Sequence, residues 1–92
     1  MDREVIWILR GAQRKELFLS IPEKEFMPNR LRKELNEKKS LTLSLREISR
    51  HLNDFEEKGF VKCLNPSDPY NKIYLITSKG KKIKQNVLNT QL

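Results

Sequence analysis

The stretch Leu43–Gly59, LSLREISRHLNDFEEKG, holds a helix start, an apolar stripe, a charged outer face and a stop. Ser44, followed three residues later by Glu47, fits a capping box. In it the serine hydroxyl accepts the Glu47 amide and the glutamate reaches back to the Ser44 amide. The helix is therefore expected to begin at Leu45. Leu45, Ile48, Leu52 and Phe55 recur at helical spacing and are expected to be buried, which turns Arg46, Arg50, Asn53 and Asp54 the other way. Gly59 supplies the stop. Arg and Asn side chains on the first turns are the groups that read base edges in a major groove, Arg by paired donation to guanine and Asn by donating to and accepting from adenine. Taken alone, such a face reads more simply as solvated helix surface, so the rest of the chain has to decide.

Outward from this helix, the next signals are a hairpin and a closing helix. Phe60–Leu64 alternates as a strand, Asn65-Pro66-Ser67-Asp68-Pro69-Tyr70-Asn71 is a dense cluster of turn formers, and Lys72–Ile76 alternates again. Thr77 caps a last helix whose buried stripe is Ile83 and Val87 with Leu88 beside them, while Lys79, Lys81, Lys82 and Lys84 stay in water. On the other side, Pro28 opens a helix that buries Leu31 and Leu35, leaves Asn29, Arg30, Arg32 and Lys33 outward, and ends near Asn36. Met27 before it is a poor cap. Leu41 and Leu43 are expected to anchor the connection that leads to Ser44. Glu25 and Phe26 are placed to add a short edge strand. The amino-terminal run Val5–Leu9 is capped by Asp2 and read as helix. Gly11 interrupts it, and a further helical piece from Gln13 to Ser20 stops at Pro22. This apolar beginning covers the core of its own domain and offers Trp7 as a dimer contact.

In order, these are the parts of a winged helix-turn-helix: an α+β, mainly α domain with a two- to three-stranded antiparallel hairpin wing and a carboxy-terminal helix. Ninety-two residues make one domain, 1–92, with a modest core. Residues 1–26 carry five basic and five acidic side chains, so the net +7 lies wholly in residues 27–92. Uneven positive charge of this kind favours a polyanionic partner. Cys63 and His51 stand alone, which excludes a disulfide within the chain and makes a nitrogen-and-sulfur metal site implausible; no metal or cofactor is expected. No Ser/His/Asp or Cys/His set, glycine-rich phosphate loop or pocketed carboxylate pair suggests an enzyme. The longest apolar run is too short to span a bilayer and the amino terminus lacks a secretory signal, so a cytoplasmic location away from membranes is expected.

The residues from Leu43 to Lys82 resemble the corresponding segment of small archaeal winged-helix regulators, similar to the MarR and ArsR groups. Ile48-Ser49-Arg50 and Leu52 stand at the positions of the recognition helix. Phe55-Glu56-Glu57-Lys58-Gly59 matches the run that closes it, and Tyr74 with Ile76-Thr77-Ser78-Lys79-Gly80 matches the exit from the wing. The connection before the recognition helix is longer here and carries Lys38 and Lys39. No cysteine pair matches the metal-sensing ArsR members.

The resemblance implies a sequence-specific double-stranded DNA-binding transcription regulator, acting as a homodimer, with helix 45–58 in the major groove and the wing, 60–77, near the backbone. Arg46, Arg50 and Asn53 are then the base readers and Ser49 a phosphate contact. Asn29 and Arg30 suit phosphates at a helix start, Lys38 and Lys39 the backbone before the recognition helix, and Lys62, Asn71 and Lys72 the wing contacts. Asp68 is expected to work against the wing, and Asp54, Glu56 and Glu57 to lift the far end of the helix away from phosphates. The alternative in another class is a winged-helix protein–protein interaction module in a larger transcription or processing complex. No small-molecule effector is indicated.

Overall fold

A reciprocal capping box opens the central helix. The Glu47 amide donates to Ser44 Oγ at 3.2 Å, and the Ser44 amide donates to Glu47 Oε1 at 3.2 Å. In this computed structural model, which describes residues 2–38 and 42–90, that helix, α4, runs Leu45–Glu57. Before it come α1 (Arg3–Leu9), α2 (Ala12–Leu19) and α3 (Pro28–Glu37); after it come β1 (Val61–Cys63), β2 (Tyr74–Ile76) and α5 (Ser78–Thr90). Gly59, at φ +78°, ends α4 in a Schellman motif: the Phe60 amide donates to the Phe55 carbonyl and the Gly59 amide to that of Glu56. The chain therefore reverses directly into the hairpin.

The core forms where four segments bring aromatic rings together. Phe18 of α2 and Phe55 of α4 meet edge to face at 5.3 Å. Phe60 lies 5.5 Å from Phe18, and Trp7 of α1 closes the group 5.9 Å from Phe55. Ile48 and Leu52 of α4, Leu31 and Leu35 of α3, and Val87 of α5 fill the remainder, all buried. Each such aliphatic side chain contributes about 1.5–3 kcal/mol on burial. The amino-terminal region thus covers its own core. Two ties from α5 reinforce it: Lys79 Nζ lies 3.0 Å from Glu4 Oε2, and Lys84 Nζ donates to the Ile21 carbonyl at 2.7 Å. These two lysines were expected to stay in water and instead bind the protein.

In the hairpin, Val61 faces Ile76, Lys62 faces Leu75 and Cys63 faces Tyr74. Both strands are shorter than their alternating sequence suggests, because Asn65 takes the next place in the ladder: its Oδ1 accepts the Ile73 amide at 2.7 Å. The expected edge strand contracts to one bridge, Phe26 to Tyr74, with amide–carbonyl bonds of 3.0 and 2.9 Å and stacked rings. Pro28, which has no amide to donate, stops it from continuing. Among the described residues this gives a two-stranded wing with a third strand reduced to a single pair, carried on a mainly helical body. The fold is a winged helix.

Two residues expected in the core are displaced, Leu88 of α5, which is 46% exposed, and Leu45 of α4. Leu45 is 43% exposed, because the first turn of α4 overhangs the core that holds Ile48, Leu52 and Phe55, and its side chain instead enters a surface groove. Leu43, just before the cap, is buried as expected, whereas Leu41 lies outside the described residues.

Candidate nucleic-acid interface

Burial of Ile48, His51, Leu52 and Phe55 fixes how α4 is rotated and thereby leaves Arg46, Arg50 and Asn53 exposed on the opposite side. Neither arginine has a carboxylate within ion-pair distance among the described residues. Glu47 is held in the cap, where the Ser44 amide and then its hydroxyl hold its carboxyl below the usual carboxylate range.

Beside this face runs an open groove of about 370 Å³. Leu45, Ser49 and Asn53 of α4 form one wall, Pro69, Tyr70, Asn71 and Lys72 of the wing the other, and Met27, Pro28 and Asn29 the floor at the start of α3. Ser49, Asn53, Asn29, Asn71 and Lys72 are thus brought together from three elements. Asn29 accepts from Arg32 Nη2 at 3.1 Å, which orients its amide and leaves its own donors available. The exposed Arg30 lies 3.9 Å from Glu34, a contact too open to neutralise it. Lys62 sits on the outer face of the hairpin opposite Leu75, apart from the groove. Lys38 caps the far end of α3, about 14 Å along the axis from Asn29. Lys39 lies outside the described residues.

Asp68 has a structural part besides the charge expected to work against the wing. Its carboxylate accepts the Tyr70 amide at 2.9 Å and the Asn71 amide at 2.8 Å, and these bonds hold it below the usual carboxylate range. Asn65 Nδ2 donates to the Asn71 carbonyl at 2.8 Å from the other side of the turn. The carboxylate stays ionised while it fixes the loop, so its negative charge remains beside the wing. Tyr70, which the sequence reading counted only as a turn residue, emerges from this support 89% exposed.

A comparison with solved structures fits this geometry. The chain is similar to MarR. A cysteine-to-serine mutant of E. coli MarR, crystallised with operator DNA, superposes with a TM-score of 0.68 at 25% identity. The likeness covers 94% of this chain and 59% of that one, so the chain spans about three-fifths of the MarR length. No family model and no curated protein matches the sequence.

Behind α4, His51 is buried, stacked on Phe55 at 6.3 Å, and neither ring nitrogen has a hydrogen-bond partner. Burial holds it below its ordinary pKa of 6.5. Arg50 and Arg14 push in the same direction, and Asp54 and Glu47 oppose them. A histidine kept neutral in the fold binds its proton more readily when unfolded, so stability is full above about pH 6.5 and declines as pH falls from there toward the lowered native value. The melting temperature should be flat from pH 9 to 7 and drop below about 6.5, and His51→Phe should remove that part of the drop. Equal acid sensitivity in both proteins would assign the effect to other groups.

Proposed function

We propose that the chain is a sequence-specific double-stranded DNA-binding transcription regulator, folded as one domain over residues 1–92. In this reading α4 lies in a major groove with its amino-terminal half against the bases, Arg46, Arg50 and Asn53 contact base edges, and Ser49 takes a phosphate. Asn29, Arg30, Asn71 and Lys72 add backbone contacts around the groove, and Lys38, Lys39 and Lys62 add weaker ones farther out. Two copies bind a partly palindromic site with half-sites about one helical turn apart.

The observation that carries the proposal is that Arg46, Arg50 and Asn53 stand exposed on one face of a helix beside an open groove, neither arginine having a carboxylate partner among the described residues. Solution of the similar MarR fold with operator DNA supports it. Asp54, Glu56 and Glu57 follow the arginines along α4, so the carboxy-terminal half rises away from the phosphates.

Binding to a mixed-sequence duplex, followed across a salt series, tests the class. Neutralising several phosphates should make the logarithm of affinity fall against the logarithm of salt with a slope steeper than about −3. Binding that is absent at low salt, or indifferent to salt, would instead favour the protein-interaction alternative.

A further inference from the structure

The groove between α4 and the wing is too mixed in chemistry to be explained by charge alone. Leu45 and Tyr70 give it apolar surface, and Ser49, Asn29 and Asn71 give it neutral polar groups; among the described residues Lys72 is its single cation and no carboxylate lines it. One nucleic-acid strand offers the same alternation, apolar sugars between anionic phosphates. Asn53 belongs both to this groove and to the exposed face of α4, so the two surfaces are continuous.

Tyr70 is the least expected part of that surface. A large aromatic ring at a loop tip normally folds back onto the protein, yet this one stands 89% exposed. The turn beneath it is fixed: Asp68 accepts the amides of Tyr70 and Asn71, Asn65 clamps Asn71 and Ile73, and prolines stand at 66 and 69. Rigid support lowers the entropy lost when the ring makes a contact. We propose that one sugar–phosphate strand of duplex DNA runs through this groove with the Tyr70 ring packed against its deoxyriboses, so that the wing grips DNA by an apolar contact at its tip while Lys72 pairs with a phosphate. This rests on the DNA-binding reading above and assigns a role to a residue that neither charge nor motif singles out.

The test measures affinity for one duplex, obtained by selection from random sequences, across a salt series for wild type, Tyr70→Ala, Tyr70→Phe and Lys72→Ala. Tyr70→Ala should bind about five- to tenfold more weakly at every salt concentration with the salt slope unchanged, because no charge is lost. Tyr70→Phe should stay within about twofold of wild type, since it keeps the ring. Lys72→Ala should reduce the slope by about one. The side chains are exposed or half-exposed, so all variants should melt with wild type. Tyr70→Ala binding within about twofold of wild type would overturn the proposal while leaving DNA binding intact, and an equal loss in Tyr70→Phe would overturn it by assigning the contact to the hydroxyl. Failure of wild type to bind any duplex would remove the DNA-binding reading itself, and Tyr70's role with it.

Discussion

Gly80→Ala is expected to destabilise the protein by about 3 kcal/mol or more, which for a chain of this size lowers the melting temperature on the order of 15 °C. The cause is contact, since a Cβ at this position would stand 2.1 Å from the Phe60 carbonyl oxygen and 2.8 Å from Ile76 Cγ1. That carbonyl cannot retreat cheaply. It already accepts the Thr77 amide at 2.9 Å and Thr77 Oγ1 at 3.1 Å, while Thr77 Oγ1 in turn caps α5 by accepting the Gly80 amide at 3.0 Å. Relieving the clash therefore lifts the start of α5 from the base of the wing and breaks its cap. In an unconstrained helix the same substitution would stabilise by about 1 kcal/mol, so the sign of the change discriminates between tight packing and propensity. Urea denaturation reads the difference, and an unchanged or raised midpoint would show that α5 does not pack against the hairpin as described.

Arg50→Ala should cost roughly 1–3 kcal/mol of affinity for the selected duplex and relax preference at one base position, with a much smaller loss on random duplex. Arg50 is exposed and has no carboxylate partner among the described residues, so its removal leaves the core and the capping box of α4 intact. Competition binding against the two duplexes measures both effects. Equal losses on selected and random DNA would make Arg50 a phosphate contact and remove it from base reading.

The parts of the fold that were legible in the sequence are those whose causes are local. The Ser44/Glu47 box, the Gly59 stop and the Thr77 cap each depend on residues within a few positions of one another, and each forms as read. Features that depend on three-dimensional arrangement were less visible. Periodicity places Leu45 in the apolar stripe but does not register that the first turn overhangs the core. Alternation extends both wing strands, but Asn65 diverts the Ile73 amide to its side chain. Likewise, formal charge marks Asp68 only as an anion, and its part in fixing the turn is seen only with its two amide partners. Gly80 was marked by the family resemblance, and the Phe60 carbonyl supplies the reason. The outward group Arg46, Arg50 and Asn53 was readable because the buried stripe fixes the rotation of α4. Its continuity with the groove was not, because the groove's second wall comes from the wing and its floor from α3.

Methylation interference on the selected duplex addresses the placement of α4 most directly, because guanine N7 lies on the major-groove edge and a methyl group there blocks a paired arginine. Wild type should show a short cluster of guanines whose methylation abolishes binding, and Arg50→Ala should lose the interference at one of them. Tight binding by wild type with no interfering guanine in a site that contains guanines would contradict α4 as the helix that reads the major groove.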